Sequence, residues 1–382
     1  MTWTIHITDM LTWVCVAVFG AAFLWLAVYY GLIYFRVGRK EERAAASSQG
    51  GAPKVSVVMV THNEAAYLKE GMPYLLEQDY PNYEVVVVDY MSQDDTKFVL
   101  KVCAENYPNL KPVHFGQDVN MFQGKKYPLS IGIKSATGDI ILLTEADSMP
   151  RNFSWVSAMA RHYTTGRTQI VLGYAGVQQG KGLLNALQQY DNLDDMLSCL
   201  GFQMLGMPYS GTGRNLSYRR DFFFQRGSFV SHYVVPEGAD DLFVNQNADG
   251  SNTAACLDPD GFVQTEAART LRQWRLRRKA RRVTRKYYPL RQRLLLALRP
   301  AAVALLYVAG AMLVARGLPW QYAALAWLLL MAWQVTALAQ ATRRFGVRGL
   351  HFFAPLLEIY FMLANTFLRI FALHNIKTPR WR

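Results

Sequence analysis

The fold of this chain is decided by the stretch Asp139-Ile140-Ile141-Leu142-Leu143-Thr144-Glu145-Ala146-Asp147. Its four consecutive apolar residues predict a strand that is buried on both faces, as in the interior of a parallel sheet. The strand ends on two acids, Glu145 and Asp147, at the sheet edge where open α/β folds bind ligands. Carboxylate oxygens suit Mg²⁺ or Mn²⁺, so a metal that carries a diphosphate is the expected partner. Taken alone, the acid pair is also compatible with a solvated turn.

Segments typical of strands and of helices alternate on either side of this stretch. The predicted strands are 55–60, 85–89, 112–115, 140–144 and 169–174, and the predicted helices are 64–78, 94–106 and 125–136. The helix 64–78 is expected to be broken or kinked at Pro73. This alternation predicts an α/β fold with a mostly parallel, doubly wound sheet. The periodicity is weaker from there to about Thr265.

Polar residues follow three of these strands at one edge of the predicted sheet. They are Thr61-His62-Asn63-Glu64, then Asp89, and then Glu145 with Asp147. Parallel strands share a carboxyl edge, so these groups are expected to meet where a nucleotide would lie. Gly124-Lys125-Lys126 offers a glycine for close backbone approach and two lysines for phosphate. Each motif alone also fits helix capping or a solvated helix start.

Charge and hydropathy predict a membrane protein with a retained N-terminal anchor. The chain has 382 residues, a formal net charge of +13 and 51% hydrophobic residues. The run 11–35 is free of charge, long enough to span a bilayer, and too long for a cleaved signal peptide. Arg36, Arg39, Lys40 and Arg43 follow it, whereas no Lys or Arg precedes it, so the next segment is expected in the cytoplasm.

Further apolar regions lie near the C-terminus. The regions 294–315 and 318–341 predict a membrane hairpin. The last apolar region, 350–373, contains Glu358 and Arg369 and is expected to enter the membrane without crossing it or to lie along its surface. A fourth crossing is the alternative, and it would break the positive-inside rule.

The segment between 272 and 293 is strongly basic, with Trp274 and other apolar residues interleaved. Nucleic acid is one partner of such a segment. Anionic lipid headgroups are preferred because the segment adjoins a predicted membrane span. The four cysteines, Cys15, Cys103, Cys199 and Cys256, show no metal-ligand spacing, and the last three lie in the predicted cytoplasmic part and are expected to be reduced thiols.

Taken in order, these motifs resemble those of family 2 glycosyltransferases with the GT-A fold. The resemblance covers roughly 54–282 and rests on the segments 55–64, 84–89, 124–132 and 144–147. It implies inverting transfer of a sugar from a nucleotide-diphosphate sugar. The organisation it implies is an anchor at 1–36, a linker at 37–53, a glycosyltransferase domain at 54–268, a basic interfacial helix at 269–293 and membrane helices at 294–382.

The resemblance also implies roles for the polar residues. A metal, Mg²⁺ or Mn²⁺, would be held by Asp147 with help from Glu145. Lys125 would lie near the diphosphate, and base and ribose would lie near Asn63, Glu64 and Asp89. The full set implied for the nucleotide sugar is Thr61, Asn63, Glu64, Asp89, Lys125, Glu145 and Ala146.

The acceptor side is implied by two later segments. The segment 206–219, with Arg214, resembles the family's acceptor region, and Gly238-Ala239-Asp240-Asp241-Leu242 resembles its catalytic-base motif. Inverting transfer needs a carboxylate that takes the proton of the acceptor hydroxyl. Asp240 is expected in this role, and Asp241 is the alternate. The two acids are also compatible with a purely structural role as caps of the following helix. Arg278 and Arg281 belong to the nearest match of the family's Gln-x-x-Arg-Trp segment and are expected on the diphosphate and acceptor side.

Departures from the family pattern shape the predicted function. Tyr90 replaces a second acid, Glu145 replaces an Asp, Ala239 replaces the acid before the base, and the basic motif lacks its Gln and Trp. The last departure disfavours processive synthesis. We therefore expect a membrane enzyme that transfers one hexosyl or N-acetylhexosaminyl unit to a lipid or lipid-linked acceptor at the cytoplasmic leaflet. The alternatives are a polysaccharide synthase and a non-catalytic scaffold that binds nucleotide sugar.

Overall fold

The computed structural model describes residues 10–39, 52–115, 124–164, 166–347 and 349–367. These residues fall into two compact units, and each is considered by itself. One unit is built from residues 10–39 and 289–367, and the other from residues 52–288. The first contains the long apolar helices, and the second contains the sheet.

Within the described residues, ten strands form two sheets. They are β1 (Val55–Thr61), β2 (Tyr83–Tyr90), β3 (Leu110–Phe115), β4 (Ile140–Leu143), β5 (Ser148–Pro150), β6 (Ile170–Gly173), β7 (Ala175–Val177), β8 (Leu216–Arg219), β9 (Thr253–Cys256) and β10 (Val263–Thr265). Seven strands form the order β3-β2-β1-β4-β8-β6-β9, and the other three form β5-β10-β7. In the large sheet β8 is antiparallel to both neighbours, and the other pairs are parallel. This mostly parallel sheet confirms the predicted α/β fold class.

Helices flank the sheet and also make up the other unit. They are α1 (Met10–Tyr29), α2 (Arg36–Arg39), α3 (Ala65–Leu76), α4 (Thr96–Asn106), α5 (Lys126–Ser135), α6 (Trp155–Ala160), α7 (Leu183–Met204), α8 (Arg220–Gln225), α9 (Asp241–Asn247), α10 (Leu271–Val283), α11 (Leu290–Ala315), α12 (Trp320–Phe345) and α13 (Ala354–Phe367). Predicted and observed boundaries differ by at most two residues for the eight elements predicted around β4. One shift has a clear cause: the Asp94 side chain accepts the backbone N–H of Thr96 at 3.0 Å, so α4 begins after it.

The helix is not broken at Pro73, because α3 runs through this residue, and the alternative of a kink there stays a prediction. A proline inside a helix removes one hydrogen bond, here to the carbonyl of Lys69. Pro73 and Lys69 both lie on the exposed side of α3, where water replaces that hydrogen bond. The helix also ends three residues later, so few hydrogen bonds depend on this position.

The register of the sheet positions the polar loops. Val57 on β1 pairs with Val85 on β2 and with Leu142 on β4, and all three are fully buried. Thr61 and Asp89 are paired at the ends of β1 and β2. The loop after β4 therefore begins next to β1, at the carboxyl edge that the sequence predicts for the ligand.

The other unit contains three helices that are long and apolar enough to cross a membrane. They are Met10–Arg39, which includes the π-helix Tyr30–Phe35, and α11 and α12. In its described part, α13 has 14 residues, fewer than the ~20 that a spanning helix needs. Arg369 lies outside the described residues, so the fate of the last apolar region stays a prediction.

Candidate active site

A cavity of about 270 Å³ opens at the carboxyl edge of the large sheet. Both acids on which the predicted chemistry depends, Asp147 and Asp240, line it. The full lining is Val60, Glu64, Lys125, Leu129, Leu143, Thr144, Glu145, Ala146, Asp147, Gly213, Glu237, Ala239, Asp240, Arg277 and Ala280. The sheet edge and the base motif, almost a hundred residues apart in sequence, therefore meet in one place.

Two glycines allow the loops around the cavity to approach each other. Gly124 has a φ of +107°, and a Cβ atom there would lie 2.1 Å from the carbonyl oxygen of Pro236. Gly238 has a φ of +92°, and a Cβ atom there would lie 2.5 Å from a methyl group of Leu242. Only glycine fits both positions, because the conformation and the space exclude a side chain. Gly124 thereby allows the lysine loop to approach the backbone at Pro236 closely, and Gly238 allows the turn before Asp240 to pack on Leu242.

Three cations contact the two acids that follow β4. Lys125 Nζ pairs with Glu145 Oε1, and Arg214 Nε donates to Glu145 Oε2 at 2.9 Å. Asp147 Oδ2 lies 3.4 Å from Arg214 Nη2 and 3.2 Å from Arg277 Nη2. Burial alone would raise the pKa of Glu145, but the charges of Lys125 and Arg214 lower it below its ordinary value. Glu145 is therefore ionised at neutral pH.

The two neighbouring acids Asp240 and Asp241 have different surroundings. Asp240 lines the cavity, and its Oδ2 accepts the backbone N–H of Gly213 at 2.7 Å. Asp241 is buried, and its Oδ2 accepts the hydroxyls of Thr284 and, at 2.9 Å, of Tyr288. Burial and the adjacent Asp240 raise the pKa of Asp241 to about 7, against the lowering effect of these hydrogen bonds. Of the two predicted bases, only Asp240 faces the cavity among the described residues.

The residues predicted for the base and ribose form a second group at the same edge. Glu64 lines the cavity and accepts the hydroxyl of Thr61 at 3.0 Å. Burial raises the pKa of Glu64 to about 7, and the nearby acids Asp147 and Glu145 add to the effect. Glu64 therefore holds its proton more readily than an ordinary carboxyl group, which suits a hydrogen-bond donor to a ligand oxygen.

Asn63 and Asp89 lie beside the cavity rather than in its described lining. Asn63 has a φ of +56°, a conformation that asparagine adopts more readily than most residues. Its side-chain oxygen accepts the backbone N–H of Gln93 at 2.7 Å. Asp89 is buried and accepts the backbone N–H of Ser92 at 3.2 Å, and it lies 3.1 Å from Nδ1 of His114. These contacts connect the loops after β1 and β2.

The basic segment reaches the cavity through a residue that was not predicted. Arg277 and Ala280 line the cavity, whereas Arg278 pairs with Asp191 and Arg281 pairs with Asp195 on α7. The sequence contains a signal for this arrangement: Trp274 is buried, and Arg278 and Arg281 follow it at i+4 and i+7 on the same face of α10. Arg277 lies on the adjacent face.

Glu237 is a second cavity residue that the sequence analysis missed. Its carboxylate lines the cavity and interacts electrostatically with Lys125 and Asp240. Burial raises its pKa, against the lowering effect of Lys125. Glu237 lies three residues before Asp240 on the same loop.

The cavity offers a donor set that fits a divalent cation bound together with a diphosphate. Asp147 and Glu145 supply carboxylate oxygens, and Mg²⁺ or Mn²⁺ is often held by one or two carboxylates plus substrate phosphates. Among the described residues, no group of three or more His, Cys, Asp or Glu side chains forms a complete metal cage. The buried hydroxyl of Thr144, also in the lining, has no hydrogen-bond partner in the described part of the chain. Both facts favour a ligand that brings its own oxygens.

Comparison with known proteins finds a family whose sequence model matches part of this domain. Residues 56–226 match the sequence model described as glycosyl transferase family 2. Glycosyltransferase AglE of Haloferax volcanii is 25% identical over 190 residues, 48% of this chain and 58% of that protein. A dolichyl N-acetyl-alpha-D-glucosaminyl phosphate 3-beta-D-2,3-diacetamido-2,3-dideoxy-beta-D-glucuronosyltransferase of Methanococcus voltae is 24% identical over 176 residues, 44% of this chain and 49% of that protein. The chain thus spans about half the length of these curated relatives.

A solved structure shares the fold over nearly the whole chain. The mannosyltransferase PcManGT of Pyrobaculum calidifontis, in complex with GDP-Man and Mn²⁺, superposes with a TM-score of 0.56 at 22% identity. The match covers 93% of this chain and 99% of that one. Residues 56–226, a little under half of the chain, are therefore similar to family 2 of the glycosyltransferases, and the solved structure shares the fold. The three long apolar helices fit a membrane-anchored member.

Proposed function

We propose that this protein transfers a single sugar, with inversion, from a nucleotide-diphosphate sugar to a lipid or lipid-linked glycan acceptor at the cytoplasmic face of a membrane. One observation carries the proposal: Asp147 and Asp240 line the same cavity. The first acid stands where a metal-bound diphosphate would lie, and the second stands where an acceptor hydroxyl would be deprotonated. A scaffold without catalytic activity would have no need for this convergence.

The chemistry assigns one role to each side of the cavity. Asp240 takes the proton of the acceptor hydroxyl while that oxygen attacks the anomeric carbon. The bond from the anomeric carbon to the diphosphate oxygen breaks, and the electron pair leaves with the nucleoside diphosphate. Lys125 and Arg214 hold the diphosphate and stabilise the charge that develops on it. A bound Mg²⁺ or Mn²⁺, held by Asp147 and Glu145, would supply further stabilisation of the leaving group.

The charges in the cavity support binding of metal and diphosphate together. Glu145 and Asp147 are already compensated by Lys125, Arg214 and Arg277. A diphosphate alone would place like charge next to the two acids, and a metal alone would place like charge next to the three cations. A metal that arrives with the diphosphate avoids both penalties. We therefore expect nucleotide affinity to depend on the divalent ion.

A lipid acceptor follows from the parts of the chain that flank the domain. Helices long enough to span a bilayer lie before it and directly after it in sequence. Arg272, Arg275 and Lys286 on the basic segment are exposed and Lys279 is half-exposed. Cations near an anionic surface contribute about 1 kcal/mol each to membrane binding. The cationic flank of the first span favours the cytoplasmic side. The M. voltae relative is named for a dolichyl-phosphate-linked sugar, which supports such an acceptor here.

Transfer assays with purified full-length protein test the proposal. The measured quantity is release of nucleoside diphosphate from a panel of UDP- and GDP-sugars, with Mn²⁺ and a polyprenyl-phosphate-linked acceptor. Asp240→Asn is expected to lower kcat by about 10³-fold with donor affinity nearly unchanged, because only proton removal is lost. If Asp240→Asn is active and Asp241→Asn is inactive, the base is Asp241. A wild-type protein that binds but never turns over any donor would be a scaffold, and a long product on a gel would indicate a polysaccharide synthase.

A further inference from the structure

Four arginines of the basic segment are paired with two acids of α7. Asp191 contacts Arg278 and Arg282, with nearest nitrogen–oxygen distances of 2.8 and 3.8 Å. One helical turn further along α7, Asp195 contacts two more arginines at 3.4 and 3.2 Å, namely Arg281 and Arg285. These arginines face the interior of the domain and are distinct from the exposed cations of the same segment. Their charges serve the fold rather than an external partner.

The pair of Asp191 with Arg278 is the most deeply buried of these contacts. The side chains are only 6% and 5% exposed, whereas those of Asp195 and its two partners are 27% to 37% exposed. The guanidinium group of Arg278 also lies 4.9 Å from the ring centre of Trp274, which is itself buried. Removal of one partner from a buried pair of this kind costs several kcal/mol. The pair therefore holds α10 in its position.

The residue of α10 that precedes Arg278 contacts an acid of the proposed diphosphate site. Arg277 Nη2 lies 3.2 Å from Asp147 Oδ2, and Arg277 Nη1 donates to the carbonyl oxygen of Glu266 at 2.8 Å. Because Arg277 and Arg278 are adjacent on one helix, a rotation or shift of α10 that loosens one contact also moves the other. The anchor on α7 and the arginine in the cavity are therefore mechanically coupled.

We propose that Asp191 is a positioning residue for nucleotide binding: through Arg278 it holds α10 so that Arg277 stays beside Asp147 and meets the β-phosphate of the nucleoside diphosphate. The inference rests on the proposed function of the cavity. It predicts a specific defect, since the β-phosphate exists in a nucleoside diphosphate and is absent from a monophosphate. A pair that merely stabilised the domain would weaken both ligands alike or neither.

Binding of UDP, GDP, UMP and GMP with Mn²⁺ to full-length protein tests this inference, read as the ratio of diphosphate to monophosphate affinity. Asp191→Asn is expected to lower the ratio for the preferred base about tenfold, the size of one lost charge-assisted hydrogen bond. Arg277→Gln is expected to lower it by a similar factor. In the Arg277→Gln background, Asp191→Asn should change the ratio little further, because both act through one guanidinium group.

Asp195→Asn is the matched control, since it removes an acid from the next turn of α7 and leaves the pair of Asp191 with Arg278 intact. Its ratio should equal that of the wild type. Each of three results would overturn the inference. They are an equal loss of the affinity ratio in Asp195→Asn, an unchanged ratio in folded Asp191→Asn, and full additivity of the effects of Asp191→Asn and Arg277→Gln on the ratio. If thermal unfolding shows that Asp191→Asn is not folded, the affinity ratio of Arg278→Met is measured instead. The same outcomes then support or overturn the inference. A wild type that binds none of the four nucleotides would instead overturn the proposed function.

Discussion

Two regions of this protein pair a carboxylate with arginine, and they differ in the volume of the space beside the pair. In the sheet domain, Glu145 and Asp147 contact Lys125, Arg214 and Arg277 on the wall of a cavity of about 270 Å³. In the helical unit, Glu358 is enclosed by α1, α11 and α12 and by the π-helix, beside a space of about 20 Å³. That space holds roughly one water molecule.

The hydrogen bonds show the same difference. Glu358 Oε1 accepts from Arg299 Nε and Nη2, each at 2.7 Å, and Oε2 accepts from Tyr30 at 2.6 Å and Gln334 at 2.9 Å. Four donors fill the lone pairs of this carboxylate. The cavity, in contrast, contains Thr144, whose buried hydroxyl has no hydrogen-bond partner in the described part of the chain. A satisfied cluster holds helices together, whereas an incompletely satisfied one next to open space is available to a ligand.

The largest effect on activity is expected for Asp147→Ala, a variant in the cavity. Transfer should fall by about 10³-fold, because a bound cation stabilises the leaving group by several kcal/mol. Thermal stability should change little, since the arginines regain water in the open cavity. The measurement is turnover across a Mn²⁺ titration. Asp139→Ala, at the opposite end of β4 and exposed, is the control and should retain activity. Mn²⁺-independent wild-type affinity for nucleotide would contradict the metal role.

The second prediction concerns the closed cluster. Glu358→Gln should lower the free energy of unfolding by about 3 kcal/mol, because it leaves Arg299 buried without a counter-charge. Turnover per folded molecule should stay the same. The midpoint of thermal unfolding in detergent measures the first effect and kcat the second. Thr336→Val, on the exposed side of α12, provides the matched control. A variant with normal stability and lost turnover would assign the cluster to function.

Three acids of the cavity were predictable from sequence because they lie in loops that follow strands, namely Glu64, Glu145 and Asp147, whereas Asp240 was selected by resemblance to a motif and Glu237 was missed. Glu145, Asp147, Glu64 and Asp240 stand beside buried apolar runs or glycine turns, and each lines the cavity. The sheet order was predictable only in part. The strand β8 is antiparallel between β4 and β6, and local periodicity carries no information on strand direction.

Residues on helices were harder to assign than residues after strands. Arg278 and Arg281 were selected by resemblance to a motif, and the structure places them against α7 instead. The choice between adjacent arginines depends on the rotation of α10, which is set by the buried Trp274 and by two acids more than eighty residues earlier. The helical spacing indicates that Trp274, Arg278 and Arg281 share one face of α10, but it does not indicate which acids on α7 that face contacts.

The third prediction uses the pH dependence of stability. The pKa of Asp241 is raised to about 7 in the folded state by burial and by Asp240. The folded protein therefore binds a proton that the unfolded chain has released, and stability should fall as the pH rises from about 4 to 7. Asp241→Asn should remove this part of the pH dependence of stability. The difference between the midpoints of thermal unfolding at pH 5 and at pH 8 should therefore differ from that of the wild type by a few degrees.

The contribution of Asp241 can be distinguished from that of Glu64, whose pKa is also raised to about 7. Glu64→Gln should flatten the same interval independently, and the double variant should be the flattest. Thermal unfolding at several pH values measures each slope. An Asp241→Asn protein with the full wild-type slope would show that the carboxylate is ionised when folded.

The smallest effect is expected for Glu237. This acid lines the cavity, whereas Glu358 is enclosed by helices. Glu237 lines the same cavity as Lys125 and Asp240, and in the proposed complex we expect its carboxylate to accept hydrogen bonds from the hydroxyls of the sugar. Glu237→Gln should lower kcat/KM about fivefold, because a neutral amide accepts a weaker hydrogen bond than a carboxylate. Affinity for the free nucleoside diphosphate should be unchanged, since it lacks the sugar. An equal loss of nucleoside diphosphate affinity would move Glu237 from the sugar end of the cavity to its phosphate end.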